Sequence, residues 1–342
     1  MYFSIPAFSI NIAVMINAFR NYNPLNILWL AILLFLLRIG YAYNAPPKLA
    51  FTYLEPFARL LVPGAYQYAF PPLVDVFLAG VLVFIQALLV NGLVNQYGLL
   101  TKPNFLPALM YIVLSSLFTP FLVLSPPLVC NFLLIWMLYK LFGLYKGDDA
   151  KSITYDLGMI VAIGSLIYLP FIYLFLTIWA ALLLFRPFYW REWIIGIMGY
   201  ATIFFFLAVA YYLSDNMAIF YSIWVPLTTK FPTHVKIDYY NYLVLVPVII
   251  IFILGIIKIR QIFFRSYVQV RKSFQLLFIV FLIAGLSFYV KAEFSLTHFL
   301  LCVIPVSVFF AYYFLYANAR WFYESLFFIL LISIVYFQFN TF

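Results

Sequence analysis

The 342-residue sequence predicts an all-α polytopic membrane protein with eleven spans, its N-terminus inside and its C-terminus outside. Three observations carry that prediction. Hydrophobic residues make up 68% of the chain and charged ones 8%, whereas a soluble domain carries about 25% charged residues. Apolar runs of about 20 residues, the length that crosses a bilayer's hydrocarbon core, fill nearly the whole chain. Positive charge is spread unevenly over the connections, and short cytoplasmic loops are the ones rich in Lys and Arg.

The elements follow in order. Met1–Ala18 is apolar but lacks a basic start, and Arg20 follows where a cleavage site would stand. It reads as an interfacial helix or the start of the first hairpin, not as a signal peptide. Spans are expected at 24–44, 72–95, 104–122, 127–143, 153–169, 170–186, 192–213, 240–258, 274–290, 296–317 and 322–340. Ser125-Pro126-Pro127 leaves almost no loop between the third and fourth. The fifth and sixth share one apolar run, broken near Tyr168-Leu169-Pro170. With the N-terminus inside, inner connections hold thirteen of the nineteen Lys and Arg and outer ones six. Joining 153–186 into one helix would move Arg186 and Arg191 outside and weaken that bias, so two short spans are expected.

Two outer loops are long: 44–71, rich in Pro and aromatics, and 214–239. The inner segment 258–272 mixes Lys258, Arg260, Arg265, Arg271 and Lys272 with apolar residues, as an amphipathic helix lying along the headgroups would. No repeat of 20–50 residues and no soluble domain boundary is visible, so residues 1–342 read as a single integral membrane domain. Gly158, Gly164, Gly196 and Gly199 are placed to let helices approach closely. The net charge of +9 reads as orientation and attraction to anionic lipid. Nucleic acid is excluded as a partner because no basic soluble domain exists to hold it.

Chemistry has few carriers here. The chain lacks GxxxxGK[ST], GxGxxG, HExxH and GxSxG, the parts that a nucleotide-driven pump, a dinucleotide enzyme, a zinc protease or a serine hydrolase requires. Cys130 and Cys302 lie in apolar runs without a CxxC, and His234 and His298 are far apart. No metal site and no cofactor is expected. Ionisable groups in or beside the spans therefore become the candidates. Arg38 lies about two turns before the outer end of span one, where its stem could snorkel to the interface, and Asp75 opens span two on the same side. Glu324, at the inner start of the last span, reads as a snorkelled or capping carboxylate near Arg320. In the first outer loop Glu55 stands between Lys48 and Arg59. A carboxylate there can act as general base while the cations hold a phosphate, or Glu55 and Arg59 form a surface pair. Glu55 and Asp75 are thus the catalytic candidates. Arg38, Lys48, Arg59, Arg186, Arg191 and Trp190 are the lipid- or phosphate-binding candidates. The string Arg186-Pro187-Phe188-Tyr189-Trp190-Arg191-Glu192-Trp193 also reads as a stiff hairpin anchor at headgroup depth.

Phe19-Arg20-Asn21-Tyr22-Asn23-Pro24-Leu25-Asn26, the stretch Asn91–Pro103 and Phe185–Gly199 resemble a family of uncharacterised integral membrane proteins of Bacteroidota. That resemblance implies location and topology but no activity. The layout also resembles the GT-C superfamily of lipid-linked sugar transferases, with N-inside topology and long outer loops after spans one and seven. Those transferases usually carry an acid very early in the first outer loop. Here 41–48 has none, and Glu55 is the first acid. The resemblance implies a bacterial inner-membrane protein of the cell envelope acting on polyprenyl-phosphate-linked or other lipid carriers at the outer face. Two alternatives stay open: a catalytically silent subunit of an envelope, secretion or gliding-motility complex, and a lipid or solute transporter.

Overall fold

In the computed structural model, residues 15–43, 71–145, 149–222, 241–262, 266–290 and 295–339 are described. Thirteen α-helices run through them: α1 Met15–Phe19, α2 Leu25–Tyr43, α3 Pro72–Gln96, α4 Leu106–Leu114, α5 Pro126–Gly143, α6 Ala150–Ile167, α7 Phe175–Phe185, α8 Trp190–Leu213, α9 Met217–Ser222, α10 Leu245–Ile262, α11 Val268–Leu286, α12 Leu300–Tyr316 and α13 Arg320–Phe339. No strand occurs among the described residues. Eight helical stretches there are long and apolar enough to cross a membrane. The protein is an all-α polytopic membrane protein.

Lipid tails are as apolar as leucine, so apolar side chains alone do not decide which helices lie inside the bundle; close packing and buried polar groups do. The Leu296–Tyr316 stretch is 83% buried, against 17% for Trp190–Leu213. All nine residues of α4 are buried as well. Polar side chains join these inner helices. Gln86 of α3 donates to Leu128 O at 2.7 Å, and its Oε1 accepts the Tyr111 hydroxyl of α4 at 2.7 Å. Asn131 of α5 donates to that hydroxyl at 3.2 Å and to Leu300 O at 3.1 Å. Four helices are thus tied through one fully buried network.

The expected span at 104–122 takes an unexpected form. Its helix ends at Leu114, a single 3₁₀ turn follows at Thr119–Phe121, and α5 begins at Pro126. Irregular backbone is tolerated at membrane depth only where protein covers it. Ser115, Ser116, Leu117, Phe121 and Leu122 are all buried. The two serine hydroxyls return to Ile112 O at 3.0 Å, which satisfies them locally.

The expected break at Tyr168-Leu169-Pro170 is present. α6 ends at Ile167, a 3₁₀ turn covers Leu169–Leu174, and α7 runs to Phe185. α6 and α8 lie side by side in the same direction. Thr154 Cγ2 sits against Gly196, Tyr155 donates to Thr202 Oγ1 at 3.0 Å, and Leu166 packs against Tyr211. Because the two helices are parallel, the apolar stretch Leu169–Phe185 returns across the thickness between them. Three glycines make this contact. A Cβ on Gly158 would meet the Gly196 carbonyl, and one on Gly199 would meet the Tyr155 carbonyl.

The described residues of the segment 258–272 form no separate interfacial helix. Lys258 and Arg260 ride on the last turns of α10, while Arg271 and Lys272 belong to the start of α11. Residues 263–265 lie outside the described residues.

Candidate functional sites at the two ends of the bundle

One end gathers the bases. Arg20 donates to Phe314 O at 2.6 Å and to Ala317 O at 3.0 Å, which places a cation on the C-terminus of α12. Its guanidinium carbon lies 4.5 Å from the centre of the Tyr323 ring. Tyr316 donates to Thr101 at 3.0 Å, and Tyr97 donates to Tyr139 O at 2.7 Å. Burial, and then the neighbouring Tyr139, raise the Tyr97 hydroxyl above the ordinary tyrosine range, so it remains a donor. Lys140 pairs with Asp156 at 2.7 Å. Eleven of the twelve described Lys and Arg residues lie at this end; Arg38 is the twelfth.

The Arg186–Trp193 string sits at the same end, beneath the adjoining N-termini of α6 and α8. Arg186 Nε lies 3.4 Å from Glu192 Oε2, so the first cation of the string meets an acid of the same turn. Arg191 stands over the Trp190 ring at 5.8 Å. Arg186, Trp190 and Arg191 come together with Lys151 and Asp149 around a cavity of about 810 Å³. Phe188, Tyr189 and Trp190 are exposed, as side chains seated among headgroups are.

Arg38 lies at the opposite end, and its position differs from a snorkelled cation. It is 5% exposed, and Nη1 donates to Leu122 O at 2.8 Å and Val76 O at 3.2 Å. Instead of reaching out to water it pins the irregular backbone after α4 to helix α3. Asp75 holds the same stretch from its other side, where its Oδ2 accepts the Leu124 N–H at 3.2 Å. Asp75 acts on Arg38 electrostatically without a direct ion pair, since the described ion pairs are those of Lys140 and Arg186. The structure therefore brings Arg38 and Asp75 together around residues 122–124. It leaves Arg186, Arg191 and Trp190 at the far end. Glu55, Lys48 and Arg59 lie outside the described residues.

Beside Arg38 a cavity of about 650 Å³ opens between α2 and α3, lined otherwise by apolar residues and Gly80. Gly80 lies flat against the guanidinium: a Cβ there would stand 3.5 Å from Arg38 Cδ and 3.6 Å from Nε. The sequence patterns single out neither Gly80 nor the Gln86–Tyr111–Asn131 network. The polar residues at 86, 111 and 131 inside apolar runs are the signal that could have found it.

The two histidine readings separate. His234 is outside the described residues, while His298 is buried, with Nδ1 2.8 Å from the Tyr168 hydroxyl and Nε2 2.7 Å from Ala284 O. Both cysteines are buried and neither is in a disulfide. Glu324 does not act as an exposed cap; it is 5% exposed and neither carboxylate oxygen accepts a hydrogen bond. No cluster of three or more His, Cys, Asp or Glu forms among the described residues.

Fold and site together define a multi-pass α-helical membrane protein with a basic end and a buried Arg–Asp pair at the other. Residues 56–342 match the family described as "Family of unknown function (DUF6427)", and the chain belongs to that family. No curated protein and no solved structure matches it.

Proposed function

We propose that this chain is a bacterial inner-membrane protein of the cell envelope that acts at the outer face on a phosphate-linked lipid carrier, in the manner of the GT-C layout. The basic end faces the cytoplasm and the Arg38–Asp75 end faces outward. One observation carries the reading. The two longest connections between described helices, 44–71 and 223–240, leave the bundle at the Arg38–Asp75 end. The described helix ends that flank them, at Tyr43, Pro72, Ser222 and Asn241, thus lie on the side of Arg38 and Asp75 and away from the bases. In this reading Glu55 supplies the general base, with Lys48 and Arg59 beside it for a phosphate.

Removing a positioned general base costs about 10²–10⁴-fold in rate, whereas losing an exposed ion pair costs at most about 1 kcal/mol. Glu55→Gln keeps the shape and deletes the base. Expressed at normal level in a strain lacking the gene, it should fail to complement if the chain is an enzyme of this kind. Complementation by both Glu55→Gln and Asp75→Asn would overturn the catalytic reading. It would favour a silent subunit of an envelope complex, a role consistent with Asp75 being occupied by the Leu124 N–H.

A further inference from the structure

We infer that the cleft between α2 and α3 is a binding site for a lipid phosphate, entered sideways from the bilayer, with one edge of the Arg38 guanidinium as its clamp. The inference rests on the lipid-carrier reading and names the ligand chemistry at its site. A guanidinium presents donors on three nitrogens. Nη1 of Arg38 is committed to two main-chain carbonyls, while Nε and Nη2 have no hydrogen-bond partner. These two nitrogens share one edge of the planar group. Their N–H bonds run parallel, at the spacing that grips two oxygens of a single carboxylate or phosphate. A buried cation with that edge unused is costly unless an anion completes it. Asp75 is not that anion, because it forms no direct ion pair with Arg38.

The walls decide what carries the anion. Among the described residues Arg38 is the only charged side chain on a cavity of about 650 Å³, whose other lining includes Leu34, Phe35, Leu73, Phe77 and Phe84. The described walls offer a free phosphate no polar partner beyond Arg38. An aliphatic chain would find a fitting surface. The cleft runs from Ala42 and Leu73 at the outward end to Ala31 and Phe84, about 16 Å at the helical rise of 1.5 Å per residue. Arg38 sits in the outer part, so a headgroup held there sends its chain towards the bilayer midplane. Phe35 and Phe77 are each 68% exposed. This side of the cleft faces lipid, and a ligand enters without crossing the protein.

The test uses the full-length chain in phosphatidylcholine nanodiscs with a diazirine-bearing hexadecyl phosphate, mapping cross-linked peptides by mass spectrometry. Cross-links should fall on 31–42 and 73–84. Unlabelled hexadecyl phosphate should remove them, while hexadecanol and inorganic phosphate should not. Arg38→Lys keeps the charge and loses the fork, so labelling should need about tenfold more probe or higher. Because Arg38 also pins the backbone, Gly80→Leu provides a second variant that narrows the cleft and leaves the clamp's chemistry in place. It should lose labelling in a chain that remains monodisperse. Competition by hexadecanol equal to that by the phosphate, or full labelling in both folded variants, overturns the inference. Labelling at Arg38 in a chain that tolerates Glu55→Gln and Asp75→Asn would keep this site and discard the carrier-enzyme reading. Loss of complementation by those variants without labelling would discard this site alone.

Discussion

Gly199→Ala tests the parallel pairing of α6 and α8, on which the return crossing of Leu169–Phe185 depends. The added Cβ would lie inside contact range of the Tyr155 carbonyl oxygen, 2.9 Å from its carbonyl carbon and 3.1 Å from its Cα. The obstacle is main chain, which no rotamer change can move aside, so the two helices must part. Overpacking costs about 1–3 kcal/mol, and a backbone obstacle belongs at the top of that range. Gly92→Ala is the matched control, since a Cβ there meets nothing within 4 Å. Both variants collect the same intrinsic gain of about 1 kcal/mol for replacing a helical glycine. Their difference therefore isolates the clash at about 3 kcal/mol, roughly a hundredfold in the folding equilibrium. Thermal unfolding of detergent-solubilised protein, read by size-exclusion chromatography, should separate the two midpoints by roughly 6–12 °C. Equal midpoints would show that α6 and α8 are not in backbone contact, and the argument for the return crossing would fall with them.

Orientation is open to a direct measurement on a chain with Cys130 and Cys302 replaced by Ala: a membrane-impermeant maleimide added to intact cells should label Asn216→Cys and spare Lys272→Cys, and the reverse pattern would invert the topology. Tyr111→Phe should cost about 1–2 kcal/mol in denaturant unfolding, because it leaves Gln86 Oε1 without its donor and removes an acceptor from Asn131. An unchanged midpoint would mean that the network does not tie α3, α4 and α5 together.

What the sequence revealed and what it hid follow from the range of each interaction. Run length and loop charge are local, and they located the helices, the break before Pro170 and the gathering of bases at one end. The glycines at 158, 196 and 199 likewise announced close packing, since in lipid only small residues let backbones meet. The irregular stretch 115–125 was invisible for the same physical reason that makes it possible. Protein covers it, so its residues are as apolar as those of a helix, and hydropathy cannot separate a buried turn from a span. Only Ser115, Ser116 and the prolines at 120, 126 and 127 hinted at it.

Arg38 shows the same limit for the site. Its charge inside an apolar run marked it at once, but snorkelling and burial predict the same sequence. The distinction lies in carbonyls at Val76 and Leu122, 38 and 84 residues away. No local pattern encodes them, because a main-chain oxygen is offered by every residue, here by Val76 within α3 and by Leu122 beyond the end of α4. The irregular stretch supplies that oxygen at Leu122, and Arg38 together with Asp75 holds the stretch in place. Break and buried pair are therefore one structure. By engaging Nη1 alone, the break leaves the other edge of the guanidinium for an anion, which is why a functional argument begins there and not at the more numerous bases of the opposite end.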